Sequence, residues 1–212
     1  MLLFASDSLI KMWIDNLPNL MDPTNKRSEI CHAISSSLKA LSSWNSHRTL
    51  QESREACGGL GYSHYAGIGM IIGEDDINST WEGDNHVLLM QTGRFILKAA
   101  QGLLQGKPLP ESLEFLTAEN PSGKTKFAGQ VTKAADLVGA FQYRVNVLMH
   151  EASVQFMAKP SAEGWNSLIP FQIEPLSKSY GELFALRSFL KVIEEEISCQ
   201  KVRAFMEKFA VL

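Results

Sequence analysis

The sequence is poor in the features of a disulfide scaffold, a metal centre, a nucleic-acid binder or a membrane span. Its three cysteines, Cys31, Cys57 and Cys199, are widely spaced and odd in number. They form neither a disulfide framework nor a Cys-x-x-Cys knuckle, and they fit a reducing compartment. The histidines at 32, 47, 64, 86 and 150 show no His-x-x-x-His or His-x-His spacing, so no metal site is expected. Charge is nearly balanced, 20 Lys plus Arg against 23 Asp plus Glu, which gives no footprint for a phosphate backbone or an anionic membrane. Apolar runs such as Val87-Leu88-Leu89-Met90 fall far below the ~20 residues that cross a bilayer. The opening Met-Leu-Leu-Phe-Ala-Ser-Asp has no basic segment and reads as no secretory signal. Without such a signal, the sequon Asn78-Ser79-Thr80 carries no meaning.

What is present is a folding composition, 45% hydrophobic and 20% charged over 212 residues. Strand signals are scarce, whereas apolar residues recur at three and four, the period of a buried helix face. The chain is therefore expected to be all-α. A first helix over residues 2–16 is stopped by Leu17-Pro18 and Asp22-Pro23. Ile30, Ile34, Leu38, Leu41 and Trp44 mark a second, which ends at Gly58-Gly59. Residues 58–81, with glycines at 58, 59, 61, 67 and 73, read as a long functional loop. A third helix starts at Asp84 or Asn85 and ends near Gly106. Residues 106–129, rich in proline and glycine, read as a linker between units 1–105 and 130–212. Another stripe runs from Leu137 to Phe156, and one last helix covers 176–209, with an exposed acidic patch at Glu194, Glu195 and Glu196.

Two clusters carry candidate chemistry, both at helix ends. The first is Arg54-Glu55-Ala56-Cys57-Gly58-Gly59-Leu60-Gly61-Tyr62, where the glycines let backbone approach a ligand closely. With no preceding strand it is no dinucleotide fingerprint, and by itself it reads as an ordinary helix stop. The second is Ser79-Thr80-Trp81-Glu82-Gly83-Asp84-Asn85. Glu82 lies just outside a helix N-terminus, whose dipole favours the carboxylate while burial disfavours it, and the balance sets its strength as a base. Glu74, Asp75 and Asp76 read as solvated loop acids. Ser43, Ser63 and Cys57 have no visible base partner, so nucleophilic catalysis is unsupported, and Cys57 is expected to pack as a small hydrophobe.

Taken in order with Leu88-Leu89-Met90-Gln91-Thr92-Gly93-Arg94-Phe95-Ile96-Leu97-Lys98, these clusters resemble the acyl-CoA oxidase family, the peroxisomal flavoenzymes of β-oxidation within the acyl-CoA dehydrogenase superfamily. The likeness is strongest over residues 40–98. Beyond Phe127 it rests on Trp165-Asn166 and the helical pattern, with Pro170 and Pro175 interrupting what the family shows as one helix. It implies a helical bundle of the C-terminal type, in two helical units, of which the second is incomplete. The first helical and β-domains of the family have no counterpart here, so the chain is expected to be a fragment or truncated copy. Its last residues, Ala210-Val211-Leu212, are not an SKL-type address.

The resemblance further implies oxidation of acyl-CoA to trans-2-enoyl-CoA with FAD and O2, yielding H2O2, in a peroxisomal homodimer. By resemblance Glu82 is the catalytic base and its own N–H polarises the thioester. Gly58, Gly59, Gly61, Asp84 and Asn85 lie on the cofactor side, the glycines reaching the flavin's adenine portion across the dimer. Isolated from the other domains, the chain is expected to be inactive and to hold flavin weakly. Two other readings stand beside this one: a non-catalytic helical module that dimerises or pairs with a full-length oxidase, and an ordinary bundle whose glycine segment is only a connection.

Overall fold

The computed structural model describes residues 1–19, 22, 25–117 and 134–211. Among the described residues there is no strand, and the fold is all-α. Helix α1 spans Leu2–Asn16 and gives way to a 3₁₀ turn where Leu17-Pro18 disfavours another α residue. Helix α2, Lys26–Ala56, starts from Asn25, whose side chain accepts the Arg27 N–H, and stops at Cys57-Gly58, with Gly58 at φ +58°. Two short helices follow, α3 at Gly58–Tyr62 and α4 at Ile68–Asp75. Helix α5, Asn85–Leu104, starts from Asp84 rather than Asn85: the Asp84 carboxylate accepts the N–H groups of His86 (3.0 Å) and Val87 (3.1 Å). Then come α6 (Ala134–Ala158), α7 (Ala162–Leu168), α8 (Glu174–Glu195) and α9 (Gln200–Val211).

Helix α8 packs against α1, α2, α5 and α6 and forms the axis of the bundle. Ile34, Ile96, Leu113, Val145, Leu176 and Leu183 meet there, fully buried or nearly so, in one core that draws on both sides of residues 106–129. Each such side chain contributes about 1.5–3 kcal/mol by leaving water. Small residues set how closely the helices approach. A Cβ on Gly93 would stand 2.4 Å from the Ile173 side chain, and one on Gly181 would stand 2.7 Å from Leu41. Ser177 donates to the Leu89 carbonyl at 2.7 Å and Thr92 to that of Ala33 at 2.9 Å, so the polar atoms admitted by this close packing are satisfied.

Three expectations meet a different structure. Residues 58–81 are no open loop: α3, a 3₁₀ turn at His64–Ala66, α4 and a 3₁₀ turn at Asp76–Ser79 follow one another, each too short to show a helical period. The expected last helix is two, broken at 196–199. Glu194, Glu195 and Glu196 set three like charges at the negative end of α8, where they oppose its dipole. Arg203 of α9 reaches back to the carbonyls of Glu194 (2.8 Å) and Ile197 (2.8 Å), taking acceptors that the helix end leaves free. Pro170 and Pro175 do interrupt the α-helix, though the chain stays helical through them: Pro170 lies in a π turn at Ile169–Ile173 that separates α7 from α8, and Pro175 in the first turn of α8. Of the stretch 106–129, residues 106–117 are described, and they pack: Leu113 and Leu116 are buried, and Asn146 accepts the Thr117 N–H and donates to the Phe115 carbonyl. Residues 118–129 lie outside the described residues.

Candidate active site

Glu82 occupies the turn that leads into α5, and its backbone stands out. At φ +57° it is the one described non-glycine residue in the left-handed region. For a residue with a Cβ this costs on the order of 1–3 kcal/mol and persists only where surroundings impose it. Gly83 follows at φ +109°, and a Cβ there would stand 2.9 Å from the Leu88 side chain, so glycine is required on two counts. The Glu82 side chain is exposed. Among the described residues neither its carboxylate nor its backbone N–H makes a hydrogen bond.

One face of α2 lies against the turn. Lys39 Nζ donates to the Gly83 carbonyl at 2.7 Å and to Asn85 Oδ1 at 2.9 Å. Asn85 is buried and donates to Ser43 Oγ at 2.8 Å, and Ser43 in turn donates to the Lys39 carbonyl at 2.9 Å. Burial lowers the Lys39 pKa from its ordinary value, opposed by the nearby charges of Asp84 and Glu82. On the other side of the turn, Ser46 donates to Asp75 Oδ1 (2.9 Å), Asn78 donates to the same oxygen (3.2 Å), and Trp81 Nε1 donates to Asn78 Oδ1 (2.8 Å). Asp75 is thus no solvated loop acid. It is half-buried, with its Oδ2 shielded and without a hydrogen-bond partner among the described residues. Glu74 and Asp76 are exposed as expected.

A second link joins the turn to α8. His86 Nδ1 lies 2.7 Å from Glu174 Oε1, its ring meets Trp44 edge-on at 5.2 Å, and Lys178 sits 4.4 Å above the Trp44 ring and 3.7 Å from Glu174. Glu174 stands 88 residues from His86, and Trp44 and Lys178 are likewise remote from the turn in sequence. Lys39 and Ser43, one helical turn apart on the polar flank of the α2 stripe, were the only local hint.

The glycine cluster divides. A Cβ on Gly58 or Gly59 would meet nothing within 4 Å, so both present bare backbone to open space. Gly61 is closed off: a Cβ there would stand 2.1 Å from the Arg54 carbonyl oxygen, so its glycine serves the packing of α3 on α2. Cys57 does not pack as a small hydrophobe. It is exposed at the helix end, where the chain turns outward through Gly58. Both clusters lean on α2, but Lys39 and Arg54 are about 22 Å apart along a helix that rises 1.5 Å per residue. The clefts of about 580 and 540 Å³ lie elsewhere, around Arg187 and Tyr180 and around Trp44 and Phe141, and include neither Glu82 nor the glycines. Among the described residues no group of three or more His, Cys, Asp or Glu is arranged for a metal, and no helix is long and apolar enough to cross a membrane.

Comparison with known proteins gives one answer. Residues 1–97 match the family model of the acyl-CoA oxidase C-alpha1 domain. Acyl-coenzyme A oxidase 2 of Candida maltosa is 30% identical over 195 residues, which are 91% of this chain and 27% of that protein. The crystal structure of acyl-CoA oxidase 3 from Yarrowia lipolytica superposes with a TM-score of 0.81 at 25% identity, covering 98% of this chain and 32% of that one. Acyl-CoA oxidase-1 of Caenorhabditis elegans, complexed with FAD and ATP, shares the fold with a TM-score of 0.84 at 21% identity, covering 98% of this chain and 32% of that one. The chain therefore spans about a third or less of the oxidases it matches. It belongs to the acyl-CoA oxidase family and corresponds to the family's C-terminal helical region.

Proposed function

We propose that this chain supplies the general base of an acyl-CoA oxidase, Glu82, together with part of the wall against which flavin and acyl-CoA lie. The observation that carries this reading is the backbone of Glu82, a carboxylate-bearing residue at φ +57° in a turn bonded to another helix, with no hydrogen bond to its own side chain or N–H among the described residues. Strain of this kind, found at no other non-glycine position among the described residues, supports a functional use of this geometry.

In this function the Glu82 carboxylate takes the α-proton of the acyl-CoA thioester. The α-carbon is a weak acid, so the thioester oxygen must be polarised as charge develops on it; in this reading the N–H of Glu82, without a partner among the described residues, is the donor. FAD, when bound, takes the hydride equivalent from the β-carbon and passes the electrons to O2, giving trans-2-enoyl-CoA and H2O2. Gly58 and Gly59 fit a cofactor edge because none of the described residues occupies the space beside them, whereas Gly61 is already packed. Asp84 and Asn85 act from behind, as cap and buried anchor of α5. Lys39 and Arg54, the α2 residues that touch the two clusters, stand about 22 Å apart along the helix, which supports an extended ligand such as a flavin dinucleotide over a compact one, shared between copies of a homodimer as the family resemblance implies. Residues 1–105 hold the chemistry, and 130–212 brace it through Glu174 and Lys178. The setting is fatty-acid β-oxidation in the peroxisome, as the family resemblance implies.

Exposure of Glu82 shows that the chain alone does not enclose a substrate, since such sites bury most of their ligand. This favours a second reading, a non-catalytic module that pairs with a full-length oxidase. Joining residues 1–212 to the N-terminal domains of a related oxidase tests the first: acyl-CoA-dependent H2O2 production is expected from the joined protein and not from the chain alone. Its absence from a joined protein that retains flavin would leave the pairing module standing.

A further inference from the structure

We infer that Lys39 is the positioning residue of the Glu82 turn, holding the base in its left-handed backbone conformation from a neighbouring helix. This rests on the reading of Glu82 as the base only for its catalytic consequence. The clamp itself is a matter of geometry. Two successive residues, Glu82 and Gly83, have positive φ, and the glycine adopts it without cost while the glutamate does not. A turn of this kind relaxes unless something outside it prevents relaxation. Lys39 is that restraint. One ammonium group binds the carbonyl of Gly83, directly after the strained residue, and the side chain of Asn85, the first residue of α5.

The restraint is rigid because its own anchor is closed. Asn85 is buried and bonded to Ser43, and Ser43 is bonded to the carbonyl of Lys39, so a ring of hydrogen bonds returns to the helix it started from. Lys39 is half-buried, and no carboxylate lies within ion-pair distance of its ammonium among the described residues. Its hydrogen bonds go to a carbonyl and an amide, which fix direction, while the charges of Asp84 and Glu82 act on it from further off. Ser46, seven residues along the same helix, holds the opposite side of the turn through Asp75, Asn78 and Trp81. Between these two holds Glu82 keeps a fixed backbone and a free carboxylate, as a base needs if it is to meet its proton in a set direction.

Amide hydrogen exchange in the 212-residue chain tests this. The amides of His86, Val87 and Leu88, bonded to Asp84, report opening of the turn. Lys39→Met is expected to speed their exchange about ten-fold, and Lys39→Arg, which keeps the donors, to stay within about three-fold of the parent. A merely structural lysine would give the same result, so the deciding comparison is made in two further backgrounds. With Glu82→Gly the turn no longer carries a strained residue, and Lys39→Met is expected to change exchange less than about three-fold. With Glu82→Gln the charge is gone and the strain remains, and the effect is expected to stay near ten-fold. Equal effects in all three backgrounds would overturn the clamp, and so would an effect that vanishes with Glu82→Gln, which would make it simple charge attraction. If Lys39→Met does not fold, Lys39→Gln is carried through the same comparison with the same criteria. Retained turnover of Glu82→Gln in a joined oxidase would refute the base while leaving the clamp in place, so the two failures are separable.

Discussion

Helices α4 and α5 are both apolar for much of their length, and the chain treats them in opposite ways. Helix α5 buries Leu89, Ile96, Leu97 and Ala100 against α2 and α8. Helix α4, with Ile68, Met70, Ile71 and Ile72, buries none of its residues. Its surroundings share the pattern: Leu60 is 70% exposed, Tyr62 86% and Tyr65 100%, with Met70, Ile71, Ile77 and Trp81 also open to solvent. Scattered exposed apolar residues are ordinary, but this many within one short segment beside the candidate base leave it uncovered by the described residues. The core of the bundle, the finished half of this contrast, is covered by its own packing; the 58–83 segment, the unfinished half, is not, although Leu3, Ile14, Met157 and Phe171 are exposed on outer faces of the bundle as well.

The largest expected effect tests whether the unfinished half is where the chemistry lies. In the chain joined to the N-terminal domains of a related oxidase, Glu82→Gln keeps size and hydrogen-bonding shape and removes the proton acceptor. Turnover of acyl-CoA is expected to fall ~100- to 10,000-fold with flavin content unchanged. Glu74→Gln and Asp76→Asn, on exposed acids of the same segment, are expected to stay within a few-fold. Asp75→Asn is a third case, because Asp75 holds Ser46 and Asn78. It is expected to lose activity by displacing Trp81, and therefore to lose folded stability along with it. A joined enzyme in which Glu82→Gln turns over like the parent would move the base elsewhere.

A second contrast concerns stability alone and uses the chain as it stands. Leu89→Ala, in the finished half, leaves a cavity and is expected to lower unfolding free energy by about 2–5 kcal/mol. Met70→Ala, in the unfinished half, is expected to change it by no more than about 0.5 kcal/mol. Urea unfolding curves give both values. A large loss for Met70→Ala would show that the 58–83 segment is already covered in solution, by a second copy of the chain for instance, and dilution would then lower the midpoint.

The same division decides what could be read from sequence. Stripes such as Ile30, Ile34, Leu38 were legible because their partners lie on other periodic helices of this chain, so burial left a period of three and four. The stop at Gly58 and the cap at Asp84 were legible because they are local backbone chemistry. Glu82 was singled out as the candidate base through its neighbours in the motif, yet its strained φ leaves no mark in composition. Lys39 was missed because a lysine flanking an apolar stripe looks like any solvated side chain, and its partners are 44 and 46 residues away. The pairing of His86 with Glu174 was missed for the same reason, at a separation of 88 residues. The short helices within 58–81 were unreadable because five or eight residues with interspersed glycine show no period.

A third contrast lies inside the glycine cluster, where the two halves meet. Gly61→Ala drives a methyl into the Arg54 carbonyl, 2.1 Å from where its Cβ would stand, and is expected to cost about 1–3 kcal/mol. Gly59→Ala meets nothing and sits in helix α3, so it is expected to stabilise the isolated chain by about 0.5 kcal/mol. Thermal unfolding reads the pair. In the joined oxidase Gly59→Ala is expected to weaken flavin retention although the protein is no less stable. If flavin content stays at the parent level, Gly59 faces solvent rather than cofactor.

The smallest expected effect compares two tyrosines. Tyr180 lies in the finished half, almost fully buried, and its hydroxyl donates to Ser112 Oγ at 2.8 Å; Tyr65 lies in the unfinished half, fully exposed. Near pH 8, Tyr180→Phe is expected to cost about 1 kcal/mol, the net worth of one hydrogen bond, and Tyr65→Phe nothing measurable. The pH dependence is the sharper reading. Burial, the largest cause, pushes the Tyr180 pKa well above the usual tyrosine range, with the Ser112 hydrogen bond and the Arg187 charge opposing it. A group whose folded pKa is raised contributes its stability below the unfolded value, near 10, and loses it as pH rises beyond that, because the unfolded chain then releases a proton that the folded chain keeps. The urea midpoint of the parent is therefore expected to fall more steeply between pH 9.5 and 11 than that of Tyr180→Phe, by the slope one ionising group supplies. Identical slopes would mean that water reaches Tyr180 in the folded protein, and the bundle half would then be less closed than its packing shows.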